Sequence, residues 1–197
     1  NAAVARFSEA DQATALPTGY IALDPSETDD PTIADPTAYF QPTLYTGTGS
    51  SLAVNQGGNS TFEPDFVWIR NRDSTDDHIL TDSVRGVTKV LSSNTTAAES
   101  TDTDTLTAFD SDGFTVGADV KVNTSSEKYV AWQWLESATP GFDIVGYSGT
   151  GSAHTEAHSL GAVPAMIIVK LRDTTGHFNV YHKGNTAAPE TDYLLLN

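Results

Sequence analysis

Five side chains have the types and spacing to hold a cation. His154, Glu156 and His158 alternate within "AHTEAHS", and Asp110 and Asp112 flank Ser111 just ahead of Gly113. A zinc protease places its glutamate directly after the first histidine of a helical His-Glu-x-x-His run, and this stretch does not. The alternation suits a strand with all three side chains on one face, where a metal could sit but a half-exposed polar face is the simpler expectation. "DSDG" opens like a calcium loop, because alternating aspartates ahead of a glycine can wrap oxygens around a hard cation. No glutamate follows at the bidentate position, where Val120 and Lys121 stand, so a hairpin turn is the expected use of Asp110 to Gly113.

Other chemistry is sparse. Glu63, Asp65, Asp76, Asp77 and Asp82 offer carboxylate pairs of the kind glycoside hydrolysis needs, but among 26 acidic residues such pairs arise freely. "GYSGT" departs from the Gly-x-Ser-x-Gly elbow, and no glycine-rich loop runs into Lys-Ser or Lys-Thr. The chain has no cysteine, which removes thiol catalysis, disulfides and thiolate zinc sites together. No catalytic residue and no cofactor is expected. A net charge of −16 repels phosphate backbones, so neither nucleic acid nor an anionic membrane is an expected partner. The acidity fits either solubility by self-repulsion or adaptation to saline surroundings, where screening shortens the reach of that repulsion. The apolar runs are too short for a helix to cross a bilayer, and no signal-peptide pattern opens the chain, so membrane insertion is not expected.

The elements that must position these groups read as strands. Residues 1–36 look like a tail and linker, with a turn at Pro17 and Gly19 and an acidic extended run after Leu23. From Tyr39 onward, short runs of β-branched and aromatic residues alternate with glycine, asparagine and aspartate. "DFVWIRN" puts Phe66, Trp68 and Arg70 on one face and Val67 and Ile69 on the other, so this strand belongs inside a two-layer structure. "KYVAWQWL" sets Val130, Trp132 and Trp134 against Tyr129, Ala131, Gln133 and Leu135, and its tryptophans are expected in the core. In "LTAFDSDGFTVGADVKV" (106–122) two strand-like runs flank the Asp110–Gly113 turn. "TTAAEST", residues 95–101, resembles a helical turn with Thr95 or Thr96 as N-cap. The expected class is all-β: antiparallel, jelly-roll-like β-sandwich modules in tandem.

The tandem follows from an internal repeat. "YTGTGS" at Tyr45 returns as "YSGTGS" at Tyr147, and Phe40 returns as Phe142, both shifted by 102. "PDFVWIRNRDST" from Pro64 returns as "PAMIIVKLRDTT" from Pro164, shifted by 100, and "KVLSSN" ending at Asn94 lines up with "DYLLLN" ending at Asn197, shifted by 103. Small drifts of this kind are loop indels in a duplicated unit. The expected organisation is a tail at 1–36, a first β module at 37–137 and a second, partial module at 138–197 representing part of a longer polypeptide. Phe66 to Ile69 and Met166 to Val169 are both expected in dry interiors. Arg72-Asp73 and Arg172-Asp173 are expected to make structural salt bridges or turn contacts.

The order of these words carries a resemblance. "YTGTG" (45–49), "PDFVWIRNR" (64–72), "DSVRG" (82–86), "SSNTTAAE" (92–99), "FDSDGF" (109–114) and "YVAWQW" (129–134) together resemble a repeat module of tailed-bacteriophage virion proteins described as tail-fibre-like or appendage proteins. Residues 158–173 and 180–184 resemble its companion module, and "LPTGYIAL" (16–23) resembles the end of a concanavalin-like or SPRY-type domain. The resemblance implies a non-enzymatic virion structural protein, a tail-fibre or appendage subunit exposed outside the particle. Its implied partners are other virion proteins, further copies of itself (trimers being common in fibres) and a host-surface receptor or glycan. Two alternatives stay open. A glycan-degrading tailspike-type enzyme would need two carboxylates beside an aromatic platform, which burial of Trp68, Trp132 and Trp134 would remove. A calcium-dependent carbohydrate-binding module would show exposed aromatics or an ion at the Asp110 turn.

Overall fold

The computed structural model describes residues 31–197 and the isolated Thr18. The tail expected at 1–36, with its turn at Pro17 and Gly19 and the 16–23 phrase, lies outside the described residues as far as position 30. Residues 35–197 form one compact unit. After a short 3-10 turn at Pro36–Ala38 come β1 (Phe40–Thr46), β2 (Leu52–Asn55), β3 (Phe66–Asn71), β4 (Ile79–Asp82), β5 (Lys89–Ser92), β6 (Ser100–Thr101), β7 (Leu106–Asp110) and β8 (Gly113–Val116). The helical turn α1 (Val120–Asn123) precedes β9 (Lys128–Trp134), β10 (Met166–Lys170), β11 (Phe178–His182) and β12 (Leu194–Leu195).

The class is all-β and antiparallel throughout. One sheet runs β1-β9-β3-β4-β5-β6, a second runs β2-β8-β7 and a third runs β10-β11-β12. The first two make a sandwich. Val67 and Ile69 on β3, Tyr129 and Ala131 on β9 and Ile79 on β4 meet Val54, Leu106, Phe114 and Val116 from the facing sheet. Alternation explains the choice of face, because every second residue of β3 and β9 points the same way and those residues are buried.

The tryptophans take the other face. Trp68, Trp132 and Trp134 are half-buried on the outer side of the six-stranded sheet, while Tyr129, Ala131 and Gln133 fill the interior. The core admits Gln133 because its amide is fully bonded: Gln56 Nε2 donates to its Oε1 at 3.1 Å, and its own Nε2 donates to Thr43 Oγ1 at 2.9 Å.

Three further expectations are corrected. Residues 95–99 form a turn and loop in place of a helical turn. Their backbone bonds go to the loop joining β10 and β11: Thr96 O accepts from Gly176 N at 2.9 Å, and Glu99 N donates to Arg172 O at 2.9 Å. The helical turn occurs instead at Val120–Asn123, within a run read as strand, where Asp119 Oδ1 caps it by accepting from Lys121 N at 2.8 Å. Residues 153–158 are loop, so His154, Glu156 and His158 share no strand face.

The hairpin expected at Asp110–Gly113 is present. Asp110 pairs with Gly113, whose φ is +108°, and a Cβ there would run into Val54 O of the adjoining strand.

The repeat is visible in strand pairing. β3 meets β4 as Val67↔Thr81, Trp68↔Leu80 and Ile69↔Ile79, and β10 meets β11 as Ile167↔Tyr181, Ile168↔Val180 and Val169↔Asn179, every residue displaced by 100. The next pairs, Leu80↔Leu91 and Val180↔Leu194, carry the shifts of 100 and 103 found in the sequence. Burial does not repeat: Val67 and Ile69 are 0% and 1% exposed, whereas Ile167 and Val169 are 44% and 37% exposed. The expected dry interior for Met166 to Val169 is therefore corrected. In the first copy β3 lies between β9 and β4 under a facing sheet, whereas β10 pairs only with β11 among the described residues.

Candidate functional site

The residues singled out for chemistry hold structure together. Asp110 Oδ2 accepts from Thr115 Oγ1 at 2.7 Å across the hairpin itself, and Asp112 Oδ2 accepts from Asn55 Nδ2 at 3.3 Å, tying the turn to β2. His154 Nε2 lies 3.0 Å from Glu156 Oε1, while His158 Nδ1 accepts from Leu160 N at 3.3 Å. No three such side chains gather around a common point among the described residues. Asp65 accepts from Glu136 N at 2.8 Å and from Ser83 Oγ at 2.9 Å, Asp76 accepts from Asn71 Nδ2 at 2.8 Å, and Asp77 accepts from Asn94 Nδ2 at 3.0 Å.

The outer face of the six-stranded sheet gathers an aromatic cluster. Trp134 lies 4.9 Å from Phe40, 5.3 Å from Phe66 and 6.1 Å from Phe142, ring centre to ring centre, and Trp68 meets Trp132 edge-on at 5.8 Å. Alternation on β1, β3 and β9 puts these rings on one side. Phe142 comes from the segment beyond β9.

At the end of this face sits a carboxyl pair that sequence reasoning missed. Burial pushes the Glu136 carboxyl up to about 7, helped by its hydrogen bond to Asp143 and by the charges of Asp143 and Asp65. The Ser159 amide, bonded to Asp143 Oδ2 at 2.5 Å, and the proton shared from Glu136 hold Asp143 below the usual carboxylate range. An acid beside an ionised partner invites a glycosidase reading, but two directly bonded carboxyls leave no room for a glycosidic oxygen between them. Positions 136 and 143 carry no spacing signal; tertiary folding alone pairs them.

A buried ionic clamp joins the third sheet to the sandwich. Arg85 Nε lies 2.5 Å from Asp82 Oδ2 and its Nη1 lies 3.3 Å from Glu99 Oε2, with all three side chains nearly covered. Arg172 grips the same Glu99 through two bonds of 2.8 and 2.9 Å, so the arginine of the second copy makes an ion pair, whereas Arg72 makes none among the described residues. Those bonds from Arg172 and Arg85 hold the Glu99 carboxyl below its ordinary range against its partial burial. Asp73 instead accepts from the Lys128 amide at 2.9 Å, a contact at the end of β3. Phe178 is buried against Leu80 and Leu91, with Lys170 Nζ 5.4 Å above its ring and bonded to Gly176 O at 2.8 Å.

Beyond that clamp the third sheet is open. Met166, Ile167, Ile168 and Val169 on β10 are exposed, as are Tyr193, Leu194 and Leu195. Ile167, Val169, Tyr181, Pro189 and Tyr193 line a shallow cavity of about 430 Å³. An exposed apolar area of this kind is characteristic of an interaction surface.

The glycine words of the repeat show the same contrast. Thr48 Oγ1 donates to Ser50 O at 2.8 Å and Thr150 Oγ1 donates to Ser152 O at 3.1 Å, so the local turn is common to both. In the first copy the turn is clamped: Gly49 N donates to Asn123 O and Thr48 N to Asn123 Oδ1, at 2.8 and 2.7 Å, and a Cβ on Gly47 would strike Thr124 O. Gly149 and Gly151 have no such neighbour, and Phe142 to Ser148 form no strand.

No curated protein and no solved structure is significantly similar to the chain. A family model does match, over residues 35–197, which takes in the sandwich, the aromatic face and the third sheet alike. The chain therefore belongs to the family described as Domain of unknown function (DUF7483).

Proposed function

We propose that this chain is a structural and adhesive β protein of a tailed-phage virion appendage, built from tandem modules and acting by assembly and surface contact without catalysis. The observation that carries the reading is the recurrence of one three-stranded meander in the same register, covered in the first copy and open in the second. Duplicated units with open apolar strands are suited to stacking on neighbours. The virion setting rests on the module resemblance in the sequence. Other virion proteins and further copies of the chain, a trimer first among them, are the partners proposed for the open surface, outside the cell.

A host-surface glycan is the proposed partner of the aromatic face, where Phe40 and Leu44 are exposed beside the half-buried Trp132 and Trp134. Flat rings accept the apolar faces of sugars. Antibody raised against the chain tests the setting: gold label on the tails of purified particles supports it, and label absent from intact and disrupted particles overturns it. On an array of host polysaccharides, the native chain binds and the Trp132→Ala variant loses binding. Equal binding by both would remove the aromatic face from the account.

A further inference from the structure

We propose that residues 136–143 form a proton-operated latch over one end of the aromatic face: while Glu136 and Asp143 share a proton, Phe142 is held on Trp134, and loss of that proton frees the segment and bares the ring. Control of glycan contact by this movement rests on the role proposed for the aromatic face; the movement itself needs no ligand. The segment turns back directly after β9. Ser137 N donates to Phe142 O at 3.0 Å and Phe142 N to Ser137 O at 3.1 Å, around a turn in which Gly141 takes φ +76°. The Phe142 ring then lies 6.1 Å from Trp134 and 6.0 Å from Phe66. With Ala138, Thr139, Gly141 and Val145 exposed, the segment is held chiefly by Phe142 and by its polar ties, the condition for opening without unfolding the sandwich.

Three carboxyls meet at its base. Asp65 Oδ2, at the entry to β3, accepts from Glu136 N at 2.8 Å, and Asp143 Oδ2 accepts from Ser159 N at 2.5 Å. Glu136 bonds to Asp143 directly. Two carboxylates hold such a contact only with a proton between them, and here a third negative group stands beside the pair. The charges acting on Glu136, those of Asp143 and Asp65, are both acidic, while Asp82 and Arg85 beyond β4 are paired with each other. The nearby imidazole is His158, next to Ser159, with Nδ1 accepting from Leu160 N at 3.3 Å.

A closed segment keeps the Glu136 proton until about pH 7, whereas an open, solvated glutamate releases it near its ordinary 4.5. Between those values the closed form binds more protons than the open one. The closing equilibrium therefore weakens across this window, by up to about tenfold per pH unit, and levels off above it. Water at the half-buried pair screens the repulsion and lowers the slope. Below the window the latch is shut and Trp134 is covered; above it the Phe142 ring is free to leave.

The test is amide exchange of the full chain from pH 4 to 9, each rate taken relative to an unstructured peptide at the same pH. The Phe142 and Ser159 amides, which donate to Ser137 O and Asp143 Oδ2, are the reporters. Their protection is expected to fall at least about tenfold as pH rises through the window and then to level off, with both exchanging ahead of Val67 and Ile69 throughout. The Phe142–Trp134 ring contact, read by NMR, is expected to fade over the same range. Glu136→Gln keeps a neutral donor toward Asp143 and is expected to flatten the profile. Asp143→Asn removes the like charge and is expected to lose most of the fall, while His158→Gln is expected to leave it in place. A native profile without the fall would overturn the latch, as would the same fall in both Glu136→Gln and Asp143→Asn, or its loss in His158→Gln. Exchange of Phe142 and Ser159 only together with Val67 and Ile69 would overturn it too, since that is global unfolding. No sugar enters this experiment, so the latch and the glycan proposal fail separately.

Discussion

Arg85 has its guanidinium almost fully covered, with Asp82, Glu99 and the carbonyl of Leu80 as partners. Arg85→Ala leaves the covered Asp82 carboxylate without a counter-charge while Glu99 keeps Arg172, and the expected loss of stability is about 3 kcal/mol by urea unfolding. Two acids set opposite pH trends. The Glu136 carboxyl, raised to about 7 in the fold, contributes stability that is complete below its ordinary 4.5 and lost as pH rises through about 7. Glu99 is depressed, so its contribution is present above its ordinary value and lost as pH falls through its folded one. Glu136→Gln is expected to flatten the decline in stability between about pH 4.5 and about pH 7 while leaving the acid limb intact; an unchanged decline would contradict the assignment. The Asp110–Gly113 turn was legible because turn chemistry is local. The Glu136–Asp143 pair and the Arg172–Glu99 clamp were not, because their partners are brought together only by packing.

Among the elements, the Gly113 hairpin and the third sheet are the most exposed to single changes. Gly113→Ala forces a side chain into positive φ and into Val54 O, and is expected to cost at least about 2 kcal/mol, read as a lower denaturant midpoint. Phe178→Ala empties the contact with Leu80 and Leu91 and is expected to cost about 3 kcal/mol or more, the rise in exchange being greatest in β10–β12. Strand positions followed from period-two alternation, yet alternation could not say which face of β9 was inside. One face carries Val130, Trp132 and Trp134 and the other Tyr129, Ala131 and Gln133, so the bulkier apolar face looked like the inner one, yet the choice fell to the facing sheet, which meets Tyr129 and Ala131. The 95–101 segment shows the reverse failure. Its composition allows a helical turn, but bonds to Arg172 and Gly176 claim its backbone.

For the whole molecule, the repeat read from spaced words is the same repeat that strand register shows, down to the three-residue drift before β12. Its environment could not be read that way, because burial of a strand depends on its neighbours, and among the described residues β10 pairs only with β11. The central claim is that β10 takes the pairing register of β3 but, among the described residues, on one edge only. Amide exchange on the free chain tests this most directly. The account predicts slow exchange at Val67, Trp68, Ile69, Ile167 and Val169 but fast exchange at Met166 and Ile168, an alternation confined to the second copy. Uniform protection along Met166 to Val169, or the opposite alternation, would contradict it.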